Sequence, residues 1–340
     1  MSDKFTAYSF ADYIVETRKN NPTFLDKINS IIDWKPIEEI LKKRYKKVAS
    51  ADGRPAYPPL PMFKLLLLER WYNLSDPGLE EALNDRISFI RFSGFSLTSP
   101  LPDHSTICRF RNTLLQLNIY KTLFDEIIRQ LESKNILIRE GAIVDATIIE
   151  SSRRPKKVIN TMPEDRKEQD TVYTQKDITY SDDTDAAWIK KGKRSYYGYK
   201  GHISVDTKDG FILGGHITPA NTADTVEFKR LIDESNLPCE SSVIADKGYA
   251  SEENRNILKC RRLKDLIMHK AKRNNPLTVT QRAINRLISS VRYKVEQTIG
   301  ILKRSYNFFR MRYKGIDKGN MEFLINAMAF NLKKVALMMK

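Results

Sequence analysis

Apolar residues recur every three or four positions along most of the first 135 residues, which is the spacing of amphipathic helices. A proline-rich connector around residues 55–61 separates the first two helices from the others. We therefore expect an all-helical N-terminal domain that spans residues 1–135. The pattern predicts helices over residues 23–32, 36–48, 63–74, 79–83, 107–117 and 119–131.

Three of these helices are short and are joined by tight turns, as in a helix-turn-helix DNA-binding region. Residues 101–106 offer a capped start for the helix that carries Arg109 and Arg111. Two interpretations fit the pattern equally well. The two arginines contact DNA, or they are exposed side chains on an ordinary helical core.

After residue 136 the pattern changes to short apolar, β-branched runs that are typical of strands. Residues 151–194 are polar and lack periodicity, so we expect a long surface insertion there. The order of elements predicts an α/β domain over residues 136–340, with a mixed sheet flanked by helices. Strands are predicted over residues 142–149, 196–205, 211–217, 242–245 and 266–269, and helices over 222–233, 251–260, 280–303 and 320–339.

The net charge of +16 lies entirely in the last quarter of the chain. Residues 259–340 contain 20 Lys and Arg against four acidic residues, so residues 1–258 sum to about zero. A basic block of this kind is typical of proteins that bind a polyanion such as DNA. The alternative is a solvated basic face without a partner. A membrane surface is disfavoured because the block lacks a strongly apolar face.

The chain also carries features that bear on its compartment. No run of eighteen uncharged apolar residues is present, so the sequence predicts no transmembrane helix. The first five residues lack the apolar core and the cleavage site of a signal peptide. Cys108, Cys239 and Cys260 are far apart, which disfavours disulfide and zinc frameworks. We therefore expect a protein of the reducing cytoplasm.

Two aspartates stand at apolar strands. Asp145 interrupts the run over residues 142–149, and Asp246 directly follows the run over residues 243–245. A carboxylate at a buried strand is costly unless it is paired, neutralised or bound to a cation. The alternative for each residue is a structural aspartate that bonds to the backbone at a strand end.

Glu296 is the only acidic residue between positions 266 and 316, a stretch that contains 12 Lys and Arg. On a helix it shares one face with Arg292 and Lys303. An ion pair with Arg292 would explain why Glu296 is present and would contribute little to stability. It would not explain why a single acid stands among so many basic residues. A carboxylate that binds a cation inside a DNA-binding groove also explains its basic surroundings, because Mg²⁺ is commonly held by a few carboxylates together with phosphate.

Other candidates are weaker. His202 and His216 are isolated histidines on predicted strands, where a packed or hydrogen-bonded imidazole is the more common role. Tyr196, Tyr197 and Tyr199 stand beside basic residues and either stack on bases or form the core face of one strand. The chain has no Walker-type glycine-rich loop, HExxH or GxSxG motif, so an ATPase, a zinc protease and a serine hydrolase have no support.

Three segments around these acids resemble the acidic blocks of DDE transposases, and the most similar branch is the insertion sequence five group. The segments are Ile143 to Thr147, Val243 to Tyr249, and Arg292 with Glu296 and Lys303. Further matches are Pro102 to Thr106 with Arg109-Phe110-Arg111, Trp188 to His202, and Thr218 to Asn221 with Asp224. They cover roughly residues 35–335 in the right order. One position departs from the pattern, because the related signature has tyrosine three residues before the arginine and this chain has Ser289.

The resemblance implies a ribonuclease H-like core, with the first aspartate on the central strand and the glutamate on a late helix. Asp145, Asp246 and Glu296 are then the catalytic residues and hold two Mg²⁺ ions, for which Mn²⁺ substitutes. The resemblance further implies cleavage at terminal inverted repeats, strand transfer into target DNA, and a homodimer in the complex with double-stranded DNA.

The same resemblance, together with the basic residues near the acids, predicts the side chains that contact DNA. Lys247 and Lys200 lie in matched segments, and Arg292 and Lys303 flank Glu296. These four are expected to bind the phosphate backbone, which supplies affinity without sequence information. Recognition of the terminal repeats is expected mainly in the N-terminal helices, where Arg109 and Arg111 lie.

Two other functions share parts of this pattern. A catalytically inactive DNA-binding protein derived from a transposase would be favoured by the loss of one acid, but all three are present. A plain metal-dependent nuclease shares the chemistry but does not join DNA ends.

Overall fold

The computed structural model describes residues 22–45, 56–162, 173–271 and 275–338, together with Phe10 and Tyr13. The end of the predicted helix over residues 36–48 and part of the predicted insertion lie outside these ranges. None of the described helices combines the length and the apolar composition that crossing a membrane requires.

The N-terminal part of the chain is helical, as its apolar periodicity predicts. Thr23 and Asp26 form a capping box at the first helix, and Ser75 and Asp103 cap later helices through their side chains. The helices are α1 (Phe24–Ile31), α2 (Trp34–Arg44), α3 (Pro59–Trp71), α4 (Asp76–Asp85), α5 (Ile87–Ser93), α6 (His104–Gln116) and α7 (Tyr120–Ser133). Helix α5 was not predicted because it has only 7 residues; it ends at Gly94 in the left-handed conformation.

The second part of the chain is built on a six-stranded mixed sheet. The strands described in this part of the chain are β1 (Gly141–Glu150), β2 (Lys156–Met162), β3 (Tyr173–Thr179), β4 (Ala187–Lys191), β5 (Arg194–Asp206), β6 (Ile212–Pro219), β7 (Ser242–Ala245) and β8 (Lys264–Ile267). Strands β2 and β3 pair with each other and do not belong to this sheet. Neighbours run in the order β6-β5-β1-β7-β8, and β4 pairs with the start of β5. Strands β6, β5 and β1 are antiparallel, whereas β1, β7 and β8 are parallel. This is the ribonuclease H-like mixed sheet that was expected, so the predicted fold class is confirmed.

The helices of this part of the chain pack against the sheet, and one of them reaches its central strands. They are α8 (Asp224–Ser235), α9 (Glu252–Cys260), α10 (Val279–Ser305) and α11 (Ile316–Met338). Helix α10 begins with a capping box between Thr278 and Gln281. It contacts β1, β5 and β7, so its side chains reach the middle of the sheet.

Helix α11 joins the two parts of the chain. Trp71 of α3 donates a hydrogen bond from Nε1 to the carbonyl oxygen of Ala329 in α11, at 2.8 Å. Asn331 of the same helix bonds to both the N–H and the carbonyl of Ile212 in β6, each at 2.9 Å. The N-terminal helices and the sheet therefore share one hydrophobic core. The predicted boundary at residue 135 falls between α7 and β1 and stays a prediction.

A buried ion network adds a second connection. Arg111 of α6 is buried and donates from Nη2 to Glu69 at 2.8 Å and from Nη1 to Asp76 at 3.1 Å. Arg70 pairs with Glu322 of α11, with Nη1 and Oε1 3.3 Å apart. Arg111 and Arg70 therefore have their charged partners inside the fold. Removing one partner would be strongly destabilising, because it would leave a buried charge unpaired. The expected contact between Arg111 and DNA is therefore wrong.

The segment over residues 151–194 has more regular structure than its sequence pattern indicates. Strands β2 and β3 pair as an antiparallel hairpin, and β4 joins the edge of the main sheet. The residues of these strands show little apolar alternation. Two strands can pair through backbone hydrogen bonds without it, so the sequence pattern did not predict them. Buried Asp183 ties the segment to the core, since it accepts hydrogen bonds from the Ser151 hydroxyl and from the N–H of Gly315.

Candidate active site

Asp145 lies in β1, and Asp246 directly follows β7, the strand next to β1 in the sheet. Strands β1 and β7 are parallel, and Val144 pairs in register with Ala245. Each aspartate directly follows one of these paired residues, and neighbouring strands are only about 4.8 Å apart. Each carboxylate accepts a hydrogen bond from the N–H of the following residue, at 2.8 Å for Asp145 and 2.7 Å for Asp246. The sheet thus brings together two acids that are far apart in the sequence.

The guanidinium of Arg292 lies where three carboxylates meet. Helix α10 carries Arg292 and, one turn later, Glu296. Nη2 of Arg292 is 2.9 Å from Oδ2 of Asp145, and Nη1 is 3.6 Å from Oδ1 of Asp246. Nη2 is also 3.9 Å from Oε1 of Glu296. A single cation therefore contacts the three acids that the sequence singles out.

The three carboxylates differ in their access to water. The side chain is 20% exposed in Asp145, 37% in Asp246 and 63% in Glu296. Burial raises the pKa of the Asp145 carboxyl above its ordinary value, although the charge of Arg292 and the N–H of Ala146 oppose this shift. Asp145 is therefore the innermost acid, and Glu296 forms the solvent side of the site.

This set of donors suits a hard divalent cation. Such ions prefer oxygen ligands and are often held by a few carboxylates together with substrate phosphates. Within the described part of the chain, no three Asp, Glu, His or Cys side chains are arranged as the ligands of one ion. The cation that the acids share is the guanidinium of Arg292. Asp145, Asp246 and Glu296 carry the type of oxygen ligand that such an ion takes, but in this arrangement they surround the guanidinium and not a common ion position.

Comparison with known families identifies the kind of protein. A family model described as "Transposase DDE domain" matches residues 137–332, which is more than half of the chain. The chain belongs to the DDE transposase family. A second model, described as "Transposase domain (DUF772)", matches residues 13–113. The protein is therefore a transposase of an insertion sequence that acts on DNA and depends on a divalent metal, and assignment to the insertion sequence five group stays a prediction.

Several solved structures of Mos1 transposase also match the chain at low similarity. The Mos1 paired-end complex with the left transposon end has 10% identity and a TM-score of 0.21, over 96% of this chain and 91% of that one. A pre-cleavage Mos1 transpososome has 9% identity and a TM-score of 0.21, over 94% and 98% of the two chains. The Mos1 mariner paired end complex with Mn has 9% identity and a TM-score of 0.22, over 93% and 91%. Values this low support no conclusion about the present transposase.

Two of the expected DNA contacts are exposed in the transposase. Lys247 directly follows Asp246 and begins a single 3₁₀ turn that ends at Tyr249. Arg109 lies on the surface of α6, where its guanidinium donates to the side chains of Ser105 at 3.3 Å and Thr106 at 3.2 Å. Both residues remain predicted contacts.

Lys303 has a more internal position than expected. Its ammonium group donates to the carbonyl oxygen of Ile148 in β1 at 3.0 Å, and burial lowers its pKa. Lys303 therefore anchors the end of α10 to the strand that carries Asp145. Whether it also contacts DNA stays a prediction.

Lys200 and Arg292 both pair with acids and have little exposed surface. Lys200 is buried, and its Nζ lies 2.6 Å from the carbonyl oxygen of Thr222 and 2.9 Å from Oδ1 of Asp224. The side chain of Arg292 is 12% exposed and faces the acids. The charge of Lys200 is buried and paired inside the protein, so its expected contact with the phosphate backbone is wrong, whereas the contact expected of Arg292 beside the acids stays a prediction.

The tyrosines of β5 mostly form a core face. Tyr199 and Tyr197 are buried, and the Tyr197 hydroxyl donates to the carbonyl oxygen of Asp183 at 2.8 Å. Of the two interpretations of this cluster, the structure therefore favours packing over base stacking for these two residues.

The two histidines are structural. His216 bonds through Nδ1 to Glu234 and through Nε2 to Glu227, both at 2.9 Å. His202 stacks on His216 with ring centroids 5.2 Å apart, and its Nε2 lies 3.0 Å from the hydroxyl of Thr218. This polar layer lies between strands β5 and β6 and helix α8, and its hydrogen bonds do not reach Asp145, Asp246 or Glu296.

His202 should make the stability of the transposase sensitive to acid. Burial lowers the pKa of His202 to about 3, and the positive charges of His216, Lys200 and Arg230 act in the same direction. Because the unfolded chain binds this proton near pH 6.5, the stability from neutral His202 is complete above that pH and is lost as the pH falls towards 3. Between pH 7 and pH 5 the loss should be about 2 kcal/mol.

Urea unfolding of the wild type and of His202→Gln near pH 7 and near pH 5 measures this loss. The variant should lose less free energy of unfolding over this interval than the wild type does. Equal losses would show that His202 does not control the response to acid.

Two polar residues beside the acids were not chosen from the sequence. Tyr249 is 1% exposed, and its hydroxyl has no hydrogen-bond partner among the described residues. Burial raises the pKa of Tyr249 well above its ordinary value, and the nearby carboxylates of Asp224, Asp145 and Asp246 raise it further. Both Asp224 and Tyr249 stand in segments that match the family, but their spacing alone gives no chemical reason to select them.

Proposed function

We propose that this transposase binds the terminal inverted repeats of its insertion sequence, cuts the DNA at those ends and joins them to target DNA. The proposal depends mainly on one observation. Asp145, Asp246 and Glu296 come from three different elements and meet around a single cationic group. Such a cluster of acids, one of them within the basic block 259–340, suits catalysis on a phosphodiester.

In this proposal Asp145, Asp246 and Glu296 hold two Mg²⁺ ions, and Mn²⁺ substitutes for them because both are hard cations that take oxygen ligands. When bound, such ions stabilise the charge that develops on the attacking and leaving oxygens of an in-line displacement at phosphorus. The N–H of the residue after each aspartate holds its carboxylate in place. Arg292 offsets the repulsion between the three acids.

The remaining parts of the chain supply binding to double-stranded DNA. The basic block 259–340 provides affinity that does not depend on sequence. The N-terminal helices, with Arg109 exposed on α6, distinguish the terminal repeats from other DNA. A homodimer acting on nucleoid DNA in the cytoplasm would hold the two ends of one element together.

The test uses the full-length protein, Mg²⁺ and linear DNA that carries the two ends of the element. We expect strand cuts at the repeat boundaries and, with a target plasmid present, products in which those ends are joined to the target. Cuts without joined products would instead indicate a plain nuclease. Binding without cuts would indicate an inactive DNA-binding protein.

Exposed arginines on α10 should supply part of the affinity for DNA of any sequence. Arg282 and Arg286 are exposed on the part of α10 that precedes Glu296. Replacing both with alanine should weaken binding to repeat and random DNA equally. The slope of log affinity against log salt should become shallower by about 0.9 for each phosphate that the variant no longer neutralises.

Fluorescence anisotropy at several salt concentrations measures this slope. The matched control is Lys35→Ala with Lys43→Ala, which removes the same charge from exposed positions on α2, outside the basic block. An equal change of slope in the control would show that the block has no special role.

A further inference from the structure

A fourth carboxylate stands beside the turn that follows Asp246. Asp224 is the first residue of α8, and buried Lys200 holds it, with Nζ 2.9 Å from Oδ1. Oδ2 of Asp224 lies 3.7 Å from the point where a Cβ atom on Gly248 would stand. Asp224 therefore faces the turn that directly follows Asp246.

Tyr249 is the last residue of the turn that Asp224 faces. Asp224, Asp145 and Asp246 all act electrostatically on it. Its ring packs on Phe228, with centroids 5.7 Å apart, so the side chain is fixed in this position. Its ring belongs to the apolar cluster that also contains Val144 and Phe228, while its hydroxyl is close enough to the three carboxylates for their charges to act on it.

Two hydrogen-bond donors at this point have no partner. Within the described residues, neither the Tyr249 hydroxyl nor Nε of Arg292 makes a hydrogen bond, although both atoms are buried. Buried polar groups are almost always satisfied, so an unsatisfied one requires an explanation. Unsatisfied donors beside several carboxylates suit a ligand that brings both positive charge and oxygen atoms, and a hydrated divalent cation has both properties.

We propose that Asp224 is a fourth carboxylate of the divalent-cation site, positioned by Lys200, and that the Tyr249 hydroxyl donates a hydrogen bond to an oxygen atom bound there. The inference rests on the proposed role of Asp145, Asp246 and Glu296 as metal ligands. Asp224 adds negative charge next to the ions, and Tyr249 orients the bound oxygen. Outer partners of this kind typically contribute about 10- to 100-fold to metal affinity or activity.

Asp224 also has a simpler possible role, because an acidic side chain in the first turn stabilises a helix. The two roles predict opposite results for Asp224→Asn in the full-length protein without DNA. As a site residue, the variant should bind Mn²⁺ about 10-fold more weakly, measured by electron paramagnetic resonance, and its Tm without metal should be unchanged or higher. A lower Tm with unchanged Mn²⁺ binding would overturn the proposal.

The matched control is Glu252→Gln. Glu252 is an exposed acid in the first turn of α9, so the variant makes the same kind of change at a helix start away from the four acids. It should leave Mn²⁺ binding unchanged. An equal loss of Mn²⁺ binding in this variant would show that the overall negative charge of the protein suffices and would contradict a specific role for Asp224.

Tyr249→Phe tests the hydroxyl separately. Removing an unsatisfied buried hydroxyl should raise the Tm without metal, and the increase in Tm caused by Mn²⁺ should become smaller than in the wild type. An unchanged increase would refute the role of the hydroxyl. Asp145→Asn separates the two levels of inference. If Asp145→Asn still binds Mn²⁺, the proposed function fails. If Asp145→Asn loses Mn²⁺ binding while Asp224→Asn keeps it, only the role of Asp224 fails.

Discussion

Asp145→Asn should reduce cleavage at the repeat ends by about 100- to 1,000-fold while binding to the same DNA is retained. Asp145 lies on β1, which has β5 on one side and β7 on the other, and its carboxylate is 2.9 Å from Arg292. Asparagine keeps the size and one oxygen of the side chain but removes the negative charge that a metal ligand needs. Nicking and band-shift assays on one labelled repeat end measure both quantities.

A structural aspartate in the same sheet provides the control. Asp206 ends β5, and its Oδ2 accepts hydrogen bonds from the N–H groups of Lys208 at 2.9 Å and Asp209 at 2.7 Å. Asp206→Asn should lower the free energy of unfolding, because it weakens these turn contacts, but the folded fraction should cleave normally. If Asp145→Asn behaves in the same way, Asp145 is only another aspartate that bonds to the backbone at a strand.

The elements themselves were largely predictable because they are local. The strand over residues 242–245 was predicted with the bounds that the structure shows, since short β-branched runs have few alternatives. The apolar pattern does not itself show which strands pair, because pairing depends on contacts between distant segments; β1 and β7 were expected to be neighbours because each carries an acid assigned to one metal site, and they do pair. The hairpin of β2 and β3 was not predicted, because its residues show little of the apolar alternation from which strands are predicted.

The fate of individual charges was the least predictable feature. Arg111 and Lys200 looked like candidates for DNA contact because a sequence reports charge and not exposure. Each is buried because a distant acid meets it, Glu69 for Arg111 and Asp224 for Lys200. Arg292 was expected next to Glu296, but its closest carboxylate is that of Asp145. The sequence pattern therefore selected the three acids as site candidates. It could not show which Lys and Arg side chains pair with acids inside the fold.

Glu296 is the acid for which the catalytic and structural interpretations differ most. Its side chain is 63% exposed, and Oε1 is 3.9 Å from Arg292, which is a weak contact for an ion pair. An exposed pair of this kind contributes at most about 1 kcal/mol to stability. If the pair were its only role, Glu296→Gln would leave cleavage intact.

As a metal ligand on the solvent side of the site, Glu296 has a different signature. Glu296→Gln should then reduce Mg²⁺-dependent cleavage by about 100-fold or more, because lost stabilisation of the transition state of about 2.7 kcal/mol corresponds to that factor. The free energy of unfolding should change by less than about 1 kcal/mol. DNA binding should persist or tighten, since one negative charge leaves a basic surface.

Asp317→Asn removes the same charge from an exposed position within the same basic block. It should affect DNA binding in the same direction as Glu296→Gln and leave cleavage unchanged, so it separates a general charge effect from the loss of a ligand. Binding, nicking and unfolding are measured for the two variants and the wild type at one salt concentration. Near-normal nicking by Glu296→Gln would return Glu296 to an ordinary ion pair and leave the site with Asp145 and Asp246 alone, two acids of the same sheet without a third from α10.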